Sequence, residues 1–420
     1  MTGQTGDGCF AVVETSLSDF GFAPLAAARA LGLRTVFVTA DPNRYTGSPA
    51  LSRAFAEHVT EVRQADTADP GAVLRSIADL APDLRGVFSL TDYNVHVAAR
   101  VAQELHLPGL DPTAAATARD KLATRRACAA AGVAAPRFQW VRTPEETPDA
   151  VARVGLPCVV KPLTEAGSVG VTLCRTEREA VERVRATIGV TTDYRGRPRP
   201  PGALVEEYLV GYETSVETVT VDGHHLVVGV TDKLLGPHPY FVELGETFPS
   251  LLPPDVTRLC VGLATEALRA VGHDFGAAHV EVKITSDGPK LVEVNPRVAG
   301  AQITRLIRES TGLDLPAELV RQHIGLAPVL GTGPVRGAAS RYLTAPGPGR
   351  LRAVHGVSLA RRLPGLAALV VDVEPGARLA PPRSNVDLLG YLVAVGTTAA
   401  EAARRADSAV GQLSFEIDPG

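Results

Sequence analysis

The sequence predicts an α/β domain followed by α+β modules, and three observations carry that reading. The first 110 residues alternate short apolar strands with amphipathic helices, the pattern of a parallel sheet. From Asp111 onward the strands ALVEEYLVG, ETSVETVTVDG and HHLVVGVTDKL alternate like an antiparallel meander, with Asp222-Gly223 as a hairpin turn. The length, 420 residues, holds two or three domains at about 100–200 residues each.

Taken in order, CFAVVE from Cys9 reads as a buried strand, and Pro24–Leu31 lies in an Ala-rich helix. RTVFVTAD from Arg34 and GVFSLTDYN from Gly86 read as further strands, with VHVAARVAQEL as the next helix. Thr91, Asp92 and Asn94 sit at a strand end, where open α/β sheets place ligand loops; capping the next helix is the plainer role. DPTAAATARDKLATRRACAAAG predicts one helix with an Asp-Pro start and a Gly stop. PCVVKPL is a strand, EAGSVGVTLC a Gly-rich connector into another, and TEREAVERVRATI a charged helix. TTDYRGRPRPPG predicts a mobile surface loop. A helix near Thr257–Val271 precedes the strands HVEVKIT and KLVEVNPR, and GLAPVLGTGPVRGAA crosses into a last module. There a Gly/Pro-rich strand pair, the polar loop APPRSNVD, the strand LLGYLVAVG and an Ala-rich helix close the chain.

Composition excludes several classes. The chain is 45% apolar with a net charge of −4, so neither nucleic acid nor an anionic membrane is the expected partner. MTGQTGDGCFAVVE lacks the basic and apolar regions of a signal peptide, and no apolar run reaches bilayer length. Five scattered cysteines without a CxxC pair suit a reducing cytoplasm. No Gly-Lys dipeptide, GxSxG elbow or HExxH helix is present, and GTGPVRG has the wrong spacing for a dinucleotide fingerprint. Among 42 basic residues only Lys121, Lys161, Lys233, Lys283 and Lys290 are lysine, in a chain that otherwise uses arginine.

The strongest local pattern is HVEVKITSDGPKLVEVNPR. If Lys290 pairs with Ile284 across a five-residue loop, Glu281 falls opposite Glu293. Alternation then places His279, Glu281, Lys283, Glu293, Asn295 and Arg297 on one face, with Val280, Val282, Val292 and Val294 in the core. Opposed carboxylates call for a cation between them, and oxygen donors from Glu, Glu and Asn select a hard ion, Mg²⁺ or Mn²⁺. The plainer alternative is a solvent-facing polar strand. Two further patterns are CVVKPLTEAGSVGVTL, a strand-end lysine before a Gly/Ser loop that suits phosphate, and LVEEYLVGYETSVE, a strand, short linker and acid.

In this order, RDKLATRRACAAAGVAAPRF, VVKPLTEAGSVGV, LVEEYLVGYETSVE and HVEVKI…LVEVNPR resemble the successive motifs of the ATP-grasp superfamily. TDKLLGPHPYFVELGETFPS, RYLTAPGPGRL and SNVDLLGYLVAVG are similar to its L-amino-acid (dipeptide) ligase branch. The resemblance implies a pre-ATP-grasp α/β domain over residues 1–112 and an ATP-grasp domain over 113–330, with subdomains of about 113–202 and 203–330. A small α+β module over 331–420 follows. It implies that Lys121 and Lys161 contact ATP phosphates and that Gly167, Ser168 and Gly170 form a closing loop. It assigns adenine to the backbone of Glu206, Glu207, Tyr208 and Leu209, and ribose to Glu213. Two Mg²⁺ ions, with Mn²⁺ as the alternative, fall to Glu281, Glu293 and Asn295, and the transferred phosphoryl to Arg297.

Lys233 and Glu246 are placed toward the substrates, small-molecule carboxylates and amines. Members of the branch often carry His at the position of Glu246, so a carboxylate there favours a cationic substrate group or acts as the base for an attacking ammonium. Tyr240, Phe241, Gln302 and Arg305 are expected pocket neighbours, and Lys290 alone is expected to be free. The implied reaction joins a carboxylate and an amine through an acyl phosphate, releasing ADP and phosphate. A carboxylase or purine-pathway ligase, or a non-catalytic ATP-binding regulatory protein, are the alternatives. A homodimer is the assembly suggested by similar enzymes.

Overall fold

The computed structural model describes residues 8–331 and 333–418. The leader reading of MTGQTGD, and position 332 of the crossover, lie outside the described residues. Strands Glu61–Gln64, Arg34–Thr39, Cys9–Val13 and Leu84–Phe88 form one parallel sheet in that spatial order. Two of its helices open on side-chain caps before proline: Ser48 accepts from Leu51 N, and Asp69 from Gly71 N and Ala72 N.

The stretch expected to be one helix is two, Pro112–Arg119 and Lys121–Ala130. Asp120 breaks it: its backbone is extended (ψ 115°) and its carboxylate caps the second helix at Ala123 N. The break matters because Lys121 becomes the first residue of the second helix, and its N–H donates to Leu163 O at 3.0 Å. Next comes an antiparallel sheet ordered Phe138–Val141, Ala203–Glu207, Cys158–Lys161, Thr172–Cys174. The helices Thr147–Val154 and Glu177–Ile188 pack their apolar sides, including Val151, Val154 and Val184, into its core.

TTDYRGRPRPPG is a clamp rather than a loose loop. Arg195 donates to Thr15 O at 3.0 Å, Arg197 to Tyr93 O at 2.9 Å, and Arg199 lies 3.8 Å from Glu165. The Arg195 and Arg197 guanidinium groups also stand over the Tyr93 ring, at 5.3 and 5.0 Å from its centroid. Planar cations that can stack and donate together turn a turn-rich segment into a tie between two domains.

The largest sheet has eight antiparallel strands in the order Gly288–Asn295, Gly276–Thr285, Tyr212–Val221, His224–Leu235, Glu243–Phe248, Gly337–Tyr342, Gly390–Gly396, Leu366–Val371. It runs without interruption past position 331, because Glu243–Phe248 pairs directly with Gly337–Tyr342. The Asp222-Gly223 turn has positive φ at both residues (50° and 74°), which matches the twist of the strands it joins. One core joins Phe22 and Phe37 of the first domain to Phe248, Ile307, Ala338 and Val393 across this sheet. All five cysteines are buried free thiols, and no helix of the described residues is long and apolar enough to cross a membrane.

The carboxylate hairpin reaches its expected face by an unexpected route. Lys290 pairs with Lys283, not Ile284, so the turn holds only Ser286 and Asp287. An unbroken ladder from there would set Val292 against Glu281 and turn Glu293 into the core. A bulge after Leu291 inserts one extra residue, and Glu281 again lies opposite Glu293, with His279 opposite Asn295. The correction falls on Val292: Leu291 takes its place in the core, fully buried, while Val292 faces the cleft.

Candidate active site

The antiparallel subdomain, the eight-stranded sheet and the C-terminal module enclose a cleft of about 580 Å³. At one end lies the loop after Lys161. Gly167, Ser168 and Gly170 all have left-handed backbones (φ 64°, 60° and 75°), a conformation that turns successive N–H groups toward one side. Lys161 is 5% exposed and its Nζ lies 2.6 Å from Glu206. Arg125 meets the same carboxylate through Nε at 2.6 Å, and its Nη2 donates to the bulge carbonyl of Val292 at 2.6 Å. Burial pulls the Lys161 ammonium below its ordinary range, against the attraction of Glu206. Burial also opposes the charge on Glu206, but Arg125 and Lys161 hold that carboxyl below its usual value.

The linker 206–209 is more divided than the sequence suggests. The Glu206 side chain belongs to the cationic end of the cleft, and the N–H groups of Glu207 and Tyr208 are taken by Arg137 O and Pro157 O. Leu209 lines the cleft beside them. Glu207 also lies 3.6 Å from Lys290, so the lysine expected to be free has a partner. Tyr208 shares a hydrogen bond with His238 at 2.8 Å, and Phe241 packs beside both rings at the cleft wall. Tyr240 sits under Arg383 instead, 5.9 Å from ring centroid to guanidinium.

The hairpin supplies the opposite wall. Glu293 lies 2.8 Å from Lys121, and Glu281 lies 2.6 Å from Lys233. Lys233 also meets Glu243 at 3.0 Å and Glu213 at 3.5 Å, while Lys283 donates to Glu213 at 3.1 Å. Burial disfavours the Lys233 charge, yet Glu243, Glu281 and Glu213 outweigh it and hold its proton far above the ordinary range. His279, wedged between Glu217 at 3.0 Å and Glu281 at 3.3 Å, is treated alike: burial opposes its charge, but the carboxylates raise it to about 10. Both side chains are thereby held toward their charged forms. Among the described residues no three His, Cys, Asp or Glu side chains form a self-sufficient metal cage. The donor set of two carboxylates and the Asn295 amide nevertheless fits a hard ion that completes its shell with phosphate oxygens.

Arg297 is anchored by Asp92, its Nε donating at 2.7 Å and Nη2 at 2.5 Å. Asp92, read as a ligand-loop residue or cap, is instead the carboxylate that aims a cleft arginine from another domain. Residues that sequence reasoning missed are Arg125, Ser16 and Asn385, which all line the cleft, whereas Glu243 lies in the YFVELGE loop that the sequence placed toward the substrates. The polar SNVD loop was the available signal.

Glu246 is not where the sequence placed it. It is 1% exposed, accepts from Ser340 Oγ and from the Tyr342 hydroxyl at 2.8 Å, and does not line the cleft. A bulge at Leu244 sets Glu243 and Glu246 on the same face, with Glu246 directly opposite Lys233, but Glu246 is covered by Tyr342, a wall residue that also accepts from Gln302 N at 2.9 Å. Burial and the nearby Glu243 charge push the Glu246 carboxyl up to about 8. An acid sealed under a tyrosine cannot meet a substrate ammonium directly. Gln302 and Arg305 line a neighbouring cavity of about 430 Å³, which shares Ala301 and Tyr391 with the cleft, rather than the cleft itself.

Comparison with known proteins bears on the domains and the fold. Residues 25–109 match the ATP-grasp N-terminal domain, 154–305 the ATP-grasp domain, and 341–418 the L-amino acid ligase C-terminal domain 2. The uncharacterized protein y4rH of Sinorhizobium fredii is 31% identical over 94% of this chain and 80% of its own length. Carnosine synthase 1 of Gallus gallus is 30% identical over 73% of this chain, which spans only 34% of that enzyme. The crystal structure of L-amino acid ligase from Bacillus licheniformis superposes with a TM-score of 0.80 at 21% identity, covering 98% of this chain and 99% of that one. With three family domains in order and a relative matched along most of both lengths, the chain belongs to the ATP-grasp superfamily and carries an L-amino acid ligase C-terminal domain 2.

Proposed function

We propose that this protein is an ATP-dependent carboxylate–amine ligase that forms an amide or peptide bond on amino acids or similar small metabolites. The observation that carries the reading is a single cleft in which Lys121, Lys161 and Arg297 converge with the opposed pair Glu281 and Glu293. Such a site neutralises a triphosphate and a developing acyl phosphate together, and needs no nucleophilic side chain. A substrate carboxylate attacks the γ-phosphorus and ADP leaves; an amine then attacks the acyl carbon, phosphate leaves, and the ammonium proton is lost.

In this reading Lys121 and Lys161 hold phosphate oxygens, and Gly167, Ser168 and Gly170 cover them with backbone N–H groups. The linker near Leu209 takes the adenine and Glu213 the ribose. Glu281, Glu293 and Asn295 would hold two Mg²⁺ ions, or Mn²⁺, which would supply charge neutralisation at the phosphates. Arg297, oriented by Asp92, meets the transferred phosphoryl and the tetrahedral oxygen. Lys233 acts as a fixed positive charge rather than a base. Five buried free thiols support a reducing compartment, the cytoplasm.

The test is ADP release measured against crossed panels of carboxylic acids and amines. Release that requires both an acid and an amine, with the amide found by mass spectrometry, is expected. Release with bicarbonate or formate alone points to the carboxylase or purine-type reading. Nucleotide binding with no release under any pair would overturn catalysis altogether.

A further inference from the structure

The C-terminal module does more than extend the sheet: one of its residues touches both halves of the cleft. Asn385 opens a short 3-10 turn, Asn385–Asp387, whose shape is set locally. Asp387 accepts from the N–H groups of Arg383 and Ser384 and from the Ser384 hydroxyl, the last two at 3.0 Å. From that platform the Asn385 N–H donates to Gly167 O at 3.0 Å, and its Oδ1 accepts from Glu243 N at 2.9 Å. Gly167 is the centre of the glycine-rich loop, and its carbonyl is reached by no other backbone donor among the described residues. Glu243 in turn holds Lys233 at 3.0 Å, and Lys233 holds Glu281 at 2.6 Å. Gly167, Glu243 and Asn385 all face the same cleft.

We propose that Asn385 is a positioning residue that couples closure of the 164–171 loop to the arrangement of the Glu243 strand. The loop then closes fully only when the substrate side of the cleft is in order, and water is kept from an activated acyl group. The chemistry supports this assignment. A glycine-rich loop has little intrinsic preference for one conformation, so a single well-placed donor outside it selects among its states. An asparagine supplies the donor from its backbone and the acceptor from its side chain, and thereby bonds two segments that do not bond each other. The functional part of the proposal rests on the ligase reading; the structural part does not.

Two variants separate the halves of the link. Asn385→Ala removes only the acceptor to Glu243 N. Asn385→Pro also removes the N–H to Gly167, at a turn position whose preceding residue is already extended (Ser384 ψ 172°) and so tolerates proline. Hydrogen exchange of residues 164–171 is measured with a non-hydrolysable ATP analogue, with the Cys9–Val13 strand as the internal control for folding. The loop is expected to exchange roughly five-fold faster in Asn385→Ala and faster still in Asn385→Pro, with the control strand unchanged. With a productive acid–amine pair, ADP released per amide formed is expected to rise from about one to several in Asn385→Ala, the sign of acyl phosphate lost to water. Asn385→Asp, which keeps an oxygen acceptor, is expected to restore much of the coupling.

Unchanged loop exchange in both Asn385→Ala and Asn385→Pro would overturn the link. Faster exchange with an unchanged ADP-to-amide ratio would overturn its role in coupling. If the wild-type protein forms no amide with any pair, the ligase reading fails, while the exchange result still decides the link by itself.

Discussion

Lys161 shows how much a single side chain can reveal. In a chain that prefers arginine, four of the five lysines line the cleft: Lys121, Lys161, Lys233 and Lys283. Each is a compact charge held by a carboxylate, a point charge rather than the planar fork of a guanidinium. Lys161→Arg is therefore expected to lower kcat/KM by about a hundred-fold while changing the melting temperature little, since Glu206 keeps Arg125. Full activity in that variant would refute the reading. Glu246 makes the opposite point, because residue type suggested a base and burial decided otherwise. Its carboxyl titrates at about 8 against an ordinary 4.5, so the folded state holds a proton that the unfolded chain has already released. Stability should thus fall as pH rises from about 4.5 through 8, where the loss is complete. Glu246→Gln is expected to flatten that slope in thermal melts across the same range.

Two elements are read differently once folded. The helix break at Asp120 was invisible in the sequence because nothing in TARDKLAT is a strong helix breaker, and Asp is tolerated on either side of a cap. What forces it is the contact of Lys121 N with Leu163 O, which draws the second helix against the Lys161 strand. Asp120→Ala removes that helix's cap and is expected to cost about 1 kcal/mol in chemical denaturation. It should also weaken binding of an ATP analogue several-fold, because Lys121 begins the uncapped turn. The hairpin was legible as a pair of facing carboxylates, yet the assumed loop was three residues too long and the bulge was unsuspected. Two errors cancelled, since alternation preserves a face through any even displacement of register. Only Val292, the inserted residue, was placed wrongly, and it is the one whose carbonyl holds Arg125.

At the scale of the whole molecule, the cleft is built from every part of the chain. Ser16 comes from the first domain, Lys161 and Gly167 from the small antiparallel sheet, Glu293 from the large one, and Asn385 from the last module. The domains are joined by charge as well as by core. The clamp 191–202 grips Tyr93 and Thr15, and Asp92 reaches across 205 positions of sequence to Arg297. Asp92→Ala leaves a half-buried guanidinium without its carboxylate and is expected to destabilise the protein by about 1–2 kcal/mol. It should reduce kcat more than KM for ATP, because Arg297 is lost as an oriented charge while the nucleotide contacts remain. An Asp92→Ala variant with native stability and turnover would show that Arg297 needs no anchor.

The sequence by itself determined what is local and periodic: parallel then antiparallel strands, the strand-end lysine before the glycine loop, and the facing carboxylates. Those features are written in neighbouring residues, through alternation, turn chemistry and short motifs. The tertiary structure decided everything that depends on which distant groups meet. It gave Lys233 three carboxylates and Arg297 its Asp92, sealed Glu246 beneath Tyr342, and brought Asn385 to Gly167. Burial and charge pairing are properties of three-dimensional neighbours, so the roles they confer could not be read along the chain.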